Sequence, residues 1–244
     1  MLSLIPKKTI LIFLILSFIA KNTEAQKNEY SANVVTGLFS FRGSGAASAD
    51  WIIDNPQKNP PTVYTRNPYG KKSGFSYVIE VQLQRVTANN IIYGAALSFE
   101  SLTSKVDIDT VFQNSFAGSV FQARGNTNLK NSFITLNPFA GYRFRKQEMN
   151  FDFTAGIDIA ACVKSREKGR AVDAGSINYF TEVMTDNQLR KPPVDLRARM
   201  QLKVSYKKYG ILAGYSLGLT DYQRENNLKA YSSFIRVGLS YQLK

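Results

Sequence analysis

Residues 74–85 read G-F-S-Y-V-I-E-V-Q-L-Q-R, and the two kinds of side chain take turns along them. Phe75, Tyr77, Ile79, Val81 and Leu83 form one set; Ser76, Val78, Glu80, Gln82 and Gln84 form the other. Alternation with period two makes a β-strand with unlike faces and excludes a helix, whose apolar stripe would return every three or four residues. The pattern recurs across 91–99, 134–144, 151–163, 194–206, 211–219 and 231–243, and more weakly across 33–41 (N-V-V-T-G-L-F-S-F). Eight strands are therefore expected. In the first, Val35, Gly37, Phe39 and Phe41 read as the apolar set, equivalent to the apolar sets of the other seven.

The connections fall into two classes that alternate strictly. Those at 87–90, 145–149 and 207–208 are short; those at about 43–73, 101–131, 165–193 and 221–229 are long. Eight such strands with both termini on the short-turn side match an antiparallel barrel of the outer-membrane type, with short periplasmic turns and long extracellular loops. A soluble sandwich or barrel alternates too. Three features favour the membrane. The strands run about 9–13 residues, near the ~9–11 that a tilted spanning strand needs. Aromatic side chains gather at the ends of the apolar sets (Phe75, Tyr77, Phe99, Tyr142, Phe144, Phe151, Tyr206, Tyr231, Tyr241) as interfacial girdles do. The opposite face mixes Gly, Ala and Ser with charges of both signs, which suits the narrow interior of an eight-stranded barrel.

Those charges sort by strand. Glu80 and Glu100 fall on the second and third strands, Arg143 on the fourth, Asp152 and Asp158 on the fifth, Arg197, Arg199 and Lys203 on the sixth, and Arg236 on the eighth. Counted from the turn near residue 147, Arg143 lies opposite Asp152, and Asp158 and Arg199 lie at similar heights. Unpaired charges are costly in such a space, so an internal ion-pair network that plugs the barrel is expected.

The N-terminus supplies the route to a membrane. Lys7 and Lys8 precede a short apolar run, Thr9 to Ala20, and Thr23-Glu24-Ala25 fits a cleavage site before Gln26. Residues 1–25 read as a signal peptide and 26–244 as the outer-membrane β-barrel domain. The apolar run is too short to span as a helix. The lone cysteine, Cys162, forms no internal disulfide and lies far from the cleavage site, which argues against a lipoprotein. Residues 1–25 carry Lys7, Lys8 and Lys21 against Glu24, so +11 of the formal +13 stays with the remainder. A basic exported surface suits anionic lipid and lipopolysaccharide and leaves nucleic acid aside. The chain has no histidine, which removes Ser-His and Cys-His nucleophiles and His-ligated metals. No cofactor, metal site or enzymatic activity is expected.

The expected loops hold the remaining candidates. The first carries Trp51, Ile52, Ile53 and Tyr64 among Asn-Pro steps, an exposed-looking patch that could bind a ligand or partner. The third carries Lys164, Arg166, Lys168, Arg170, Arg190 and Lys191, cations suited to lipopolysaccharide phosphates. The G-S-G-A-A-S run from Gly43 lacks the Lys and helix of a phosphate loop.

The stretches S-Y-V-I-E-V-Q-L-Q-R, Y-G-A-A-L-S-F-E-S, F-I-T-L-N-P-F-A-G-Y-R-F followed by F-D-F-T-A-G-I-D-I-A, and the closing G-L-S-Y-x-L strand resemble the PorT-like outer-membrane barrels of Bacteroidota, which share their architecture with OmpX and OmpA. The resemblance spans the mature chain, and its motifs are architectural. It implies an outer-membrane, multi-pass barrel of structural or loop-mediated binding role. Alternatives are a component supporting type IX protein secretion, with envelope or secretion proteins as partners, and a narrow pore or uptake protein. Two departures stand out. Pro138 sits within the fourth strand, where a bulge or distortion is expected, and the chain ends Y-Q-L-K without a terminal aromatic.

Overall fold

A computed structural model describes residues 27–114, 119–175, 182–189, 194–223 and 228–243. The expected signal (1–25), Arg190 and Lys191 lie outside the described residues. Every regular element among these residues is a strand: β1 Lys27–Arg42, β2 Ala49–Asn55, β3 Thr62–Thr65, β4 Lys72–Val86, β5 Ile91–Gln113, β6 Ser119–Lys146, β7 Met149–Asp173, β8 Glu182–Gln188, β9 Val194–Tyr206, β10 Tyr209–Gly218 and β11 Tyr231–Gln242. Eight of them close a ring in the order β1-β4-β5-β6-β7-β9-β10-β11, antiparallel throughout, with β11 returning to β1. Neighbouring strands join at one end through tight turns. Asn90, Gln147 and Lys207 take left-handed φ values of 62°, 54° and 51° there, the backbone that short hairpins demand.

The ring turns its apolar sets outward. Phe75, Ile79 and Leu239 are 69%, 59% and 67% exposed, whereas Glu80, Gln82 and Gln84 are buried. The first strand departs from expectation. It starts at Lys27 rather than Asn33, and its Val35–Phe39–Phe41 set points inward while Val34 and Leu38 face out. The reason is a layer of rings across the far end of the interior. Phe41 lies edge-on to Phe39 (5.2 Å), Tyr69 (5.2 Å) and Tyr222 (4.9 Å), and Phe39 meets Phe234 at 6.4 Å. Such edge-to-face rings pack a wide apolar plug that aliphatic side chains would fill less completely.

Two of the expected long loops are strand for most of their length. β5, β6 and β7 run on past the ring, to Gln113, from Ser119 and to Asp173. At this level other strands replace their ring neighbours. β4 pairs with β5 only as far as Lys72↔Lys105, and β2 then takes that edge in parallel, from Ala49↔Asp107 to Asp54↔Gln113. β9 pairs with β7 through Ala161, and β8 takes over from Arg166↔Gln188. With β3 on β2, the result is an outer sheet β3-β2-β5-β6-β7-β8. It curls until its edges meet: Asn187 Nδ2 donates to the Val63 carbonyl (2.6 Å) and the Thr65 amide to Glu167 Oε1 (2.8 Å). Ile52, Val106, Ile108, Val111, Ala123, Ala171 and Val183 form its own apolar core, flanked by Val63 and Phe121.

Of the bulge or distortion expected at Pro138, the structure shows no bulge but a local break in pairing. The ladder to β7 lapses at Asn137 and Pro138, then resumes in the same register at Phe139↔Gly156. Proline removes one donor there, but its pairing with Ala95 on β5 holds the strand in line. The register shift in this pair of strands lies instead at Ser132/Phe133, where β7 carries one residue more, Val163, between Cys162 and Lys164.

Candidate functional site: a buried stack of ion pairs

Inward positions of adjacent ring strands stand about 5 Å apart, so charges placed on that phase meet across the interior. The nine inward charges singled out from the sequence are all buried: Glu80, Glu100, Arg143, Asp152, Asp158, Arg197, Arg199, Lys203 and Arg236. They lie in three tiers. Nearest the turns, Arg143 sits between two carboxylates and binds each with two nitrogens. Its Nη1 and Nη2 donate to Glu29 at 2.8 and 2.7 Å, and its Nε and Nη2 to Asp152 at 2.6 and 2.7 Å. The register sets Arg143 directly across from Asp152. Lys203 approaches Asp152 at 3.9 Å, and Gln84 donates to Glu29 at 2.8 Å.

In the middle tier Arg199 Nη1 donates to Glu80 Oε2 (2.7 Å), and Asn33 Nδ2 to Glu80 Oε1 (2.8 Å). The innermost tier centres on Asp158, which lies 3.7 Å from Arg199, 3.6 Å from Arg197 and 3.3 Å from Arg236. Ser216 donates to it at 3.0 Å. Arg197 also pairs with Glu100 and, at 3.8 Å, with Asp195. Above this tier the ring layer closes over: the Arg236 and Arg197 guanidinium carbons stand 4.6 Å from the Phe234 ring centre and 5.5 Å from that of Phe133.

Small residues make the room. A Cβ on Gly94 would come within 2.9 Å of the Phe139 ring, and one on Gly214 within 3.3 Å of Arg236 Cγ. A cavity of about 10 Å³ lies beside Glu80, Asn137, Arg199 and Gln201, about the space of a single water. Charges this deep tolerate burial because each has an opposite partner, and deleting one partner exposes the other to a cost of about 3–5 kcal/mol.

Two members escape the set read from the sequence. Glu29 precedes the expected start of the first strand, so it carried no pattern. Asp195 does lie on the inward phase with Arg197 and Arg199, so the alternation carried its signal.

The other candidates belong to the outer sheet. Ile52 is part of its core rather than of an exposed patch, since β2 turns alternate residues inward. Trp51 lies under the Arg66 guanidinium at 3.8 Å and edge-on to Phe112 at 5.1 Å. Both rings line an outward cleft of about 520 Å³ with Ile53 and Val120. Arg66 is held by Asp50 (3.1 Å), and burial pushes the Asp50 carboxyl upward against the Trp51 amide and Arg66. Tyr64 is exposed on β3. Lys164, Lys168 and Arg170 are exposed on β7 and Arg166 is half-buried there; β8 supplies partners for three of these cations. Arg166 and Lys168 share Asp186, and Arg170 pairs with Glu182. The Arg166 bond holds the Asp186 carboxyl below its ordinary range. Among the described residues no cluster of Cys, Asp and Glu is arranged to hold a metal.

No family model matches the chain, and no curated protein does. Among solved structures it is similar to Ail, the attachment invasion locus protein of Yersinia pestis, solved with the heparin analogue sucrose octasulfate (11% identity, 89% of this chain and 99% of that one, TM-score 0.37). It is also similar to Neisserial surface protein A (12%, 87% and 96%, TM-score 0.38) and to the Pseudomonas putida toluene transporter TodX (10%, 93% and 91%, TM-score 0.28). At such identities and TM-scores the likeness transfers no property to this chain.

Proposed function

We propose that this chain is a non-enzymatic β-barrel integral to a bacterial outer membrane, with residues 1–25 as its export signal and 26–244 as the embedded domain. The tight turns face the periplasm and the outer sheet stands outside the cell. One observation carries the reading: the ring presents large apolar side chains on its outside and paired charges on its inside. Water would not sustain an apolar surface that continues around every strand of a ring, whereas lipid requires it. The internal ion pairs act as a structural plug, and the outer sheet is the part available to partners. An interior crossed by paired charges and capped by a layer of aromatic rings suits a closed core better than an uptake pore.

Heat-modifiable gel migration of the membrane fraction tests this. The unboiled protein should migrate apart from the boiled one and should stay with membranes through a high-salt wash. A soluble protein whose migration ignores boiling would overturn it. Within the class, the motifs quoted above support placing the chain with the PorT-like barrels of Bacteroidota. That placement implies support of type IX secretion, and a gene deletion assayed for secreted proteins tests it: unchanged secretion would leave the structural role alone.

A further inference from the structure

The outer sheet carries a row of cations at one height, on one side of the ring. Lys105 on β5, Lys130 on β6 and Lys164 on β7 all point outward. The register sets Lys105 across from Asn128 and Lys130 across from Arg166, each one outward step from the next lysine. Neighbouring strands lie about 4.8 Å apart and each step also moves two residues along the strand, so the three lysine positions span roughly 16 Å. None of the three has an ion pair among the described residues. The acids of the same face are already engaged: Asp107 by Lys72, Asp186 by Arg166 and Lys168, and Glu182 by Arg170. Asp109 stands about four residues farther out, roughly 13 Å along the strand.

The height of this row is set by what lies directly beneath it. Lys130 Nζ stands 5.7 Å from the centre of the exposed Tyr77 ring, and Phe99 and Ile134 follow as the next exposed apolar side chains. From Lys130 to Ile134 is about 13 Å of strand, or some 10 Å along the normal at the usual tilt. The lysines therefore sit at the aromatic margin of the apolar band, where lipid headgroups begin. The far side of the ring differs. There the outward residues at the same end include Leu38, Leu196 and Leu219. Arg42 is turned onto the Gly218 carbonyl (3.0 Å) and the Tyr231 ring.

We propose that Lys105, Lys130 and Lys164 form a one-sided docking face for the phosphate groups of a phosphorylated glycolipid in the surrounding outer leaflet. The proposal rests on the membrane reading above and adds to it a place and a chemistry. A leaflet lipid fits better than a soluble polyanion because the row touches the apolar band, so one molecule can lay acyl chains on Ile134 and Phe99 and its phosphates on the lysines.

Binding of bisphosphorylated lipid A to the detergent-solubilised protein, followed by native mass spectrometry, tests it. The Lys105→Gln/Lys130→Gln/Lys164→Gln variant should bind about tenfold or more weakly. Dephosphorylated lipid A should bind the native protein equally weakly, and Lys207→Gln at the turn end should change nothing. Unchanged binding in the triple variant overturns the proposal. Displacement of lipid A by equimolar inositol hexakisphosphate also overturns it, in favour of a soluble polyanion. Heat-modifiable migration is read on every sample. If the native protein lacks it, the membrane reading fails first; if only the triple variant lacks it, Lys130→Gln alone decides, with about threefold weaker binding expected.

Discussion

The ring and the outer sheet share three strands, yet their polarities are opposite. On β6, odd-numbered residues point inward in both regions. In the ring they are Thr135, Asn137 and Arg143, against Ile134, Leu136 and Phe144 outside. In the outer sheet they are Ala123, Thr127 and Leu129, against Arg124, Asn126 and Lys130 outside. The β6 backbone continues without a change of phase while the residue types on its two faces trade places. Hydrophobic phase therefore reports what lies outside a strand rather than which side of it is the core. The ring fills its interior with paired charges beneath an apolar layer, and the sheet fills its own largely with apolar side chains.

The sharpest way to break that contrast is to unpair a ring charge. Arg143→Ala strands Glu29 and Asp152 together and should cost about 3–5 kcal/mol, read as a lower temperature for loss of the folded gel band. Adding Glu29→Gln and Asp152→Asn should restore much of it, which a simple packing defect would not allow. Next comes the outside. Met200→Arg, near the middle of β9, should cost about 2–4 kcal/mol in a bilayer, whereas Arg124→Leu on the outer sheet should stay within about 0.5 kcal/mol. Equal costs at the two sites would erase the distinction between the solvents. A smaller loss of about 0.5–1.5 kcal/mol is expected for Ile52→Val in the apolar core of the sheet. It should speed proteolysis of the sheet and leave heat-modifiable migration unchanged. Smallest is a pH effect. Asp50 titrates above its ordinary 3.8 in the folded sheet, so between the two values the folded state keeps a proton that the unfolded chain has released. Stability of the sheet should therefore fall as pH rises through that window. Protease sensitivity across pH 3–6, compared with Asp50→Asn, checks the slope, which the variant should lack.

The eight ring strands were legible because their outward apolar sets are long and regular. The inward charges were legible for the same reason: once seven strands agree on a phase, Glu80 or Arg199 has only one place to point. The phase of β1 is ambiguous in the sequence because aromatic residues suit either face. Phe39 and Phe41 look like a lipid-facing set until Tyr69 and Tyr222, from distant loops, pack against them. The outer halves of β5, β6 and β7 read as loops in the sequence because the outward side, which carries the signal elsewhere, turns polar. Their period of two persists in Val106–Ile108 and Thr127–Leu129 with the phase of an ordinary soluble sheet. Local pattern gave no notice that β2 and β8 would take over edges vacated by β4 and β9, since strand exchange depends on where partners end.

β6 runs unbroken for 28 residues, roughly 90 Å of extended chain, and β5 and β7 flank most of it. Mechanically this is a strut shared by the ring and the outer sheet. A sideways push on the outer sheet loads the β5–β6–β7 ladders in shear, where many hydrogen bonds resist together instead of opening one after another. On the proposed placement outside the cell, the outer sheet would be carried on continuous strands rather than on a hinge.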